Sequence, residues 1–357
     1  DFRAGRRPPR LAPPRWWKPT LRDAAVVASL GIWWLVGAMT SDDGYIFTIA
    51  RARADQGFIG NYFRWFSNPE APWNWDDAFL SLWVQVSTST PWVRLPALLM
   101  GLASWLLISR EVLPRLGQRV RRSNAAGWAA AAVFLAFWLP YNNGLRPEPF
   151  VVLFSLLALC AVERSVATRR LMPAALGLVA AALSAGTNPH GIVAVMPFVA
   201  AGKPLLRLVR QRAREFGWVP VLAPIAASGL VYLTLAFMDQ TFQSVLDGIA
   251  LKKAFGPSDD WYQELNRYIA LFNPTSDGSL ARRFPVLLVM LCLATCLAVL
   301  LRRGRIRGAA LGPSRRLLGV TALFFATLVF TPTKWSHHFG IFAAVGGALA
   351  ALTALAT

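Results

Sequence analysis

Apolar residues in this chain come in runs long enough to cross a bilayer, and that feature constrains its fold more than any other. A membrane-spanning helix needs ~20 consecutive, mostly apolar residues. About ten such runs are read, at 23–40, 91–110, 125–139, 150–166, 171–186, 191–202, 218–238, 285–301, 317–331 and 339–356. In hydrocarbon every backbone amide needs an internal partner, so the runs imply helices rather than open strands. Several are short, and 191–202 suits a segment that enters and leaves on one side. The expected fold class is an all-α polytopic membrane protein. Residues 1–22 form a basic cytoplasmic segment and 23–357 a single membrane domain.

The links between runs alternate in character. Those at 1–22, 110–124, 163–170, 203–217 and 302–316 hold 26 of the 37 Lys and Arg residues. Those at 41–90, 140–149, 187–190, 239–284 and 332–338 are acidic, aromatic and rich in Asn, Pro and Gly. Links rich in Lys and Arg stay in the cytoplasm. The second set is therefore expected outside, on the periplasmic side of the cell membrane. Two outer loops, 41–90 and 239–284, are too long to be plain turns. The second is read as an amphipathic helix from Thr241 to Phe255 and another near Trp261–Phe272.

A net charge of +19 would suit nucleic acid if it lay along one soluble face. Here the cations sit in short links between apolar runs, which excludes that partner. Cys160, Cys292 and Cys296 lie inside apolar runs and read as small buried hydrophobes, with no disulfide framework or zinc site. No small-residue cleavage site follows the basic, Pro-rich start. An apolar run that reaches Thr357 makes a piece of a longer protein the expectation.

Four outer-face signals carry chemistry. Asp42 and Asp43, in Asp42-Asp43-Gly44-Tyr45, are adjacent carboxylates at a membrane surface, costly unless used, capped or solvated. One is expected to cap a helix running from Tyr45 and the other to react. Tyr62, Phe63, Trp65, Phe66 and Trp73, with Arg64 and Glu70 between them, read as an interfacial belt or a sugar platform. The only histidines, His190, His337 and His338, all fall at outer ends of helices. Their spacing matches no standard metal-ligand pattern, so neither a metal nor a cofactor is expected. Arg146, in the turn Asn142–Pro149, has the fork geometry that grips phosphate. Carboxylates, histidines, cations and aromatics on one face are the equipment of glycosyl transfer. A transporter would place its charges at mid-membrane.

These residues resemble a known family. Asp42-Asp43-Gly44-Tyr45, Ile49-Ala50-Arg51, Asn61-Tyr62-Phe63-Arg64-Trp65-Phe66 and Pro69-Glu70 look like the mycobacterial Emb-type arabinosyltransferases, the ethambutol targets of cell-wall arabinan synthesis. Arg94-Leu95-Pro96, the segments 109–115, 143–149 and 312–316, and Thr331-Pro332-Thr333-Lys334-Trp335-Ser336-His337-His338 continue the likeness in order along nearly the whole chain. The resemblance implies a C-type glycosyltransferase (GT-C) core, with decaprenyl-phosphoryl-arabinose as donor. The acceptor would be a growing arabinan on the galactan of arabinogalactan, or in lipoarabinomannan. Membrane lipid surrounds such a core, and a homodimer or a heterodimer with a paralogue is left open. Family members also carry outer carbohydrate-binding domains, so the resemblance covers the catalytic core alone.

By position, Asp42 matches the family's catalytic acidic residue, while Glu70, Trp335 and His337 match residues lining its donor and drug pocket. Ile49 stands where the family often has a Met associated with ethambutol resistance. Asp43, Tyr45, Arg146, Lys334 and His338 complete the expected substrate-binding set. Phosphate is a good leaving group that needs cationic stabilisation, for which Arg146, Lys334 and His337 are candidates. The acceptor hydroxyl needs a base, for which Asp42 is the choice. A single displacement inverts the anomeric centre. The competing readings are another polyprenyl-phosphate-sugar transferase, such as a mannosyltransferase, and a lipid-linked sugar transporter.

Overall fold

The structure, a computed structural model, describes residues 14–40, 42–61, 65–68, 72–73, 75–275 and 277–356. All regular elements among them are helical. The first seven main helices are α1 (Leu21–Val36), α2 (Asp43–Gln56), α3 (Trp75–Trp83), α4 (Thr90–Leu107), α5 (Asn124–Tyr141), α6 (Glu148–Thr168) and α7 (Met172–Ala185). Then come α8 (Gly202–Phe216), α9 (Trp218–Ala236), α10 (Phe242–Phe255), α11 (Leu265–Phe272), α12 (Leu280–Arg303), α13 (Leu311–Leu328) and α14 (Gly346–Ala356). Two 3-10 segments, Pro189–Val195 and Ser336–Ala344, stand before the last parts of their runs.

All ten apolar runs fall on helical segments. By length and composition, however, only four helices among the described residues qualify to cross a membrane: Thr90–Arg115, Glu148–Thr168, Trp218–Ala236 and Leu280–Arg303. The number rises to six if two bent pairs each count as one span. The run at 191–202 turns through 66° into α8, so the expected basic link 203–217 is itself a helix. The run expected as one helix over 339–356 is instead broken, with 67° between Ser336–Ala344 and α14. Close packing explains the break. The Asn142 amide donates to the Gly340 carbonyl at 3.1 Å, and a Cβ on Gly340 would stand 2.9 Å from the Tyr141 Cβ.

Lipid tails are as apolar as leucine, so small residues that let backbones approach hold such bundles together. A Cβ on Gly347 of α14 would stand 2.7 Å from the Ala130 carbonyl of α5, and one on Gly177 of α7 would stand 2.9 Å from Ala161 of α6. Around these seams Phe134, Phe137, Tyr141, Phe324, Phe339 and Phe342 fill the core without solvent exposure.

The two kinds of link separate onto two ends of the bundle. At one end Arg110 reaches the carbonyls of Trp16 and Lys18, Arg316 pairs with Glu163 at 2.6 Å, and Arg212 reaches the Arg169 carbonyl. The Ala310 amide donates there to the Leu116 carbonyl at 2.7 Å. At the other end the Trp75 indole donates to the Leu183 carbonyl at 2.7 Å, and the Asp259 amide to the Pro332 carbonyl at 2.8 Å. The second loop carries two helices where they are expected, of which α11 is clearly amphipathic and α10 is not. α10 is capped by Thr241, whose hydroxyl accepts from the Ser244 amide, and a 3-10 turn at Trp261–Gln263 leads into α11.

Candidate functional site

Asp42 ends the link after α1 and stands at the N-cap of α2, where its side chain caps nothing. Its Oδ2 instead accepts from Nη1 of Arg146 at 2.5 Å. Arg146 comes from the turn between α5 and α6, and its Nε and Nη2 lie 3.1 and 3.3 Å from the two carboxylate oxygens of Glu148. The result is an ion chain, Asp42–Arg146–Glu148. Arg146 and Glu148 are buried, while the Asp42 side chain is 28% exposed. Burial would loosen the Arg146 proton, but Glu148 and Asp42 outweigh it and push the guanidinium pKa up. In this structure the fork of Arg146, expected to face phosphate, holds two carboxylates.

Asp43 is also not the expected cap. It is 1% exposed. Its oxygens accept from the Thr40 amide (2.8 Å), the Thr40 hydroxyl (2.6 Å) and the Leu145 amide (2.8 Å). It therefore ties the link before α2 to the turn that carries Arg146. A Cβ on Gly144 would overlap this carboxylate, so the turn closes over Asp43 only because residue 144 has no side chain. Tyr45 and Ile49 follow on the same side of α2 and pack together with Ile59 and Ala78. Glu70 and the aromatic stretch 62–64 lie outside the described residues. Trp65 and Trp73 both face the Lys252 ammonium of α10, at 6.0 and 5.8 Å.

His190 converges on the adjacent pair His337 and His338, which are distant from it in sequence. The His190 and His338 rings are 4.6 Å apart, as are those of His337 and His338. His190 Nε2 lies 3.8 Å from a Glu148 oxygen. Trp335 stacks nearly parallel on His337 at 6.4 Å. Beneath them is a residue that sequence reasoning passed over. Arg267 of α11 is fully buried and donates to Glu264, Thr331 and the carbonyls of Leu328, Thr333 and Trp335. Its Nη1 also lies 2.7 Å from His338 Nδ1. A guanidinium only donates, so Nδ1 accepts and Nε2 of His338 carries the proton. Lys334 is likewise committed. Its ammonium donates to the Val329 and Thr331 carbonyls at 2.6 and 2.7 Å and lies 3.6 Å from Glu264.

Glu148, His337 and His338 each place a ligand-type atom within 4.8 Å of the others, the spacing of a metal cage. His338 accepts from Arg267 through Nδ1, so a cation there would have to take the place of its Nε2 proton, beside the positive charge that Arg146 already brings to Glu148. Two further groups border the site. Asp277 pairs with Arg282 at 2.6 Å and approaches His337 Nδ1 at 3.9 Å. His337 and then Arg282, against the cost of burial, hold its carboxyl down to about 2. Asp76 of α3 is buried with one oxygen unpartnered, and burial followed by Asp77 drives its carboxyl well above the usual range. The pair Asp76-Asp77 repeats the Asp42-Asp43 pattern, which was the available signal. Arg267 offered none beyond its place on an amphipathic helix.

Comparison with known proteins bears on this arrangement. The family model described as mycobacterial cell wall arabinan synthesis protein matches residues 1–357. The chain belongs to that family. Among arabinan synthesis relatives, a probable arabinosyltransferase C from Mycolicibacterium smegmatis is 51% identical over 349 residues, which is 98% of this chain and 32% of that protein. A probable arabinosyltransferase B from Mycobacterium avium is 50% identical over 351 residues, 98% of this chain and 33% of that protein. The cryo-EM structure of arabinosyltransferase EmbB from Mycobacterium smegmatis superposes with a TM-score of 0.87 at 43% identity, covering 99% of this chain and 32% of that one. The chain therefore spans about a third of the length of its family relatives, and its fold is that of a multi-pass membrane protein.

Proposed function

We propose that this chain is the GT-C membrane core of an arabinosyltransferase. It passes arabinofuranose from decaprenyl-phosphoryl-arabinose to a growing arabinan of the cell wall, at a site on the periplasmic face. The Asp42–Arg146–Glu148 chain carries the reading: one open carboxylate is aimed by a buried guanidinium that a buried carboxylate holds in place. With Oδ2 on Arg146, Asp42 keeps Oδ1 for the acceptor hydroxyl. It takes that proton as the sugar–phosphate bond breaks, and one displacement inverts the anomeric carbon.

The donor's phosphate sits at headgroup level, on the side of His337 and Trp335. Trp335 is the exposed aromatic of the cluster and offers a face to the sugar or the prenyl chain. Arg146 adds positive potential nearby without leaving its carboxylates. Arg267 and His338 form the floor, and Asp43 and Tyr45 position the start of α2.

The test uses the full-length protein and a donor labelled in the sugar. Transfer releases free polyprenyl phosphate, whereas a transporter would move the label with the donor intact. Asp42→Asn is expected to keep donor binding and thermal stability while lowering turnover roughly 10²–10⁴-fold, the worth of a positioned base. Near-normal turnover in that variant would remove Asp42 from the role.

A further inference from the structure

The basic end of the bundle carries a cleft that sugar transfer does not use. It is a small cleft, open to solvent, between the start of α1, the segment after α4 and the start of α5. Three arginines line it, Arg22, Arg110 and Arg121, with one acidic residue, Asp23. That carboxylate is already engaged, by Arg110 at 2.5 Å, the Trp105 indole at 2.9 Å and the Thr20 amide at 2.7 Å. Arg110 is engaged in turn, by Asp23 and by the carbonyls of Trp16 and Lys18. The guanidinium groups of Arg22 and Arg121 have no partner among the described residues.

Arg22 is also not simply waving in water. Its guanidinium lies on the bare backbone of α5 at Gly127, where any Cβ would overlap it. An unpaired arginine usually extends its head into solvent. Here the missing side chain at residue 127 keeps the head inside the cleft, beside a second unpaired fork.

Two arginines without a partner, lining one open cleft, offer the donor forks that suit the oxygens of a phosphate ester. The surroundings indicate which ester. Trp17 is 73% exposed and Trp128, next to Gly127, is 42% exposed; Leu21 and Val27 of α1 are exposed as well. Exposed tryptophans beside apolar helix surface mark the headgroup level of a membrane. A free phosphate would use the charges and leave that apolar surface bare. We propose that this cleft binds the phosphodiester of an anionic phospholipid, gripped by Arg22 and Arg121, with its acyl chains along α1 and Trp128. The ligand belongs to the leaflet on the basic side, at the opposite end from the Asp42 site.

Native mass spectrometry of the full-length protein, titrated with phosphatidylglycerol, phosphatidylcholine or inorganic phosphate, tests this. Phosphatidylglycerol should bind in preference to phosphatidylcholine. The preference should fall about tenfold in Arg22→Gln/Arg121→Gln, the worth of a lost charge-assisted contact. Gly127→Ala leaves every charge in place but displaces the Arg22 head, so it should weaken phosphatidylglycerol with melting temperature held within a few degrees. Inorganic phosphate should not compete at millimolar concentration. Unchanged phosphatidylglycerol binding in both variants would overturn the site. Full competition by inorganic phosphate would overturn the lipid as its occupant.

Discussion

Asp43 directs both of its oxygens at Thr40 and Leu145, while Asp42, one residue earlier, turns outward onto Arg146. The two carboxylates should therefore fail differently when changed. In Asp43→Asn one oxygen becomes an amide that cannot accept, and a buried donor on Thr40 or Leu145 loses its partner. The expected cost is about 2 kcal/mol of stability, measured by denaturant or thermal unfolding. That exceeds the cost of a cap replaced by Asn, because no cap is involved. Asp277 makes a pH prediction. Its carboxyl is held at about 2 against an ordinary 3.8. A depressed acid adds stability above the ordinary value and loses it as pH falls through the folded one. The stability gap between wild type and Asp277→Asn should thus be full above pH 4 and close toward pH 2. A gap independent of pH over that window would separate Asp277 from this role.

At the scale of elements, the site is made by helices that stop or break where they reach it. Pro189–Val195 delivers His190, Ser336–Ala344 delivers His337 and His338, and α6 begins at Glu148 itself. A 3-10 turn packs its residues along three ridges and exposes backbone that a regular helix would bury in itself. Glycines make that tolerable. A Cβ on Gly191 would overlap the Ser184 carbonyl, and the Ser184 hydroxyl donates to the Gly191 carbonyl at 2.8 Å. Gly191→Ala must push the 3-10 segment off α7, at about 2–3 kcal/mol, and carry His190 with it. Lowered thermal stability together with reduced donor binding is expected. A variant with native stability would mean that the seam is looser than it appears. α11 works similarly: its outer side is apolar and exposed, and its inner side inserts Arg267 under His338.

For the whole molecule, the separation of links onto two ends turns a pattern in the sequence into a direction across the membrane. If the basic end is cytoplasmic, single cysteines placed at 117–124 or 305–316 should resist an impermeant thiol reagent applied from outside. One placed at Ser258, near the Asp259 contact with Pro332, should react. Labelling of both sets would remove the basis for an outer-face site. The native Cys292 and Cys296 are buried and Cys160 is half-buried, all inside helices, so background labelling should be low.

The sequence alone determined the class of fold, the helical runs and the partition of links, because hydrocarbon allows few backbone solutions and charge cannot hide within it. It also pointed to Asp42, Arg146 and the three histidines as one face, since all of them stand at the same kind of helix end. Only the tertiary structure decided what those residues do to one another. Arg146 meets Asp42 across 104 positions, and Arg267 meets His338 across 71. No local pattern encodes such a meeting. The breaks at residues 201 and 345 were equally hidden, because an apolar run reads the same whether straight or bent. At the second break Gly346 and Gly347 lie close against Phe137 and Ala130 of α5, and that neighbour is chosen by the fold, not by the run itself.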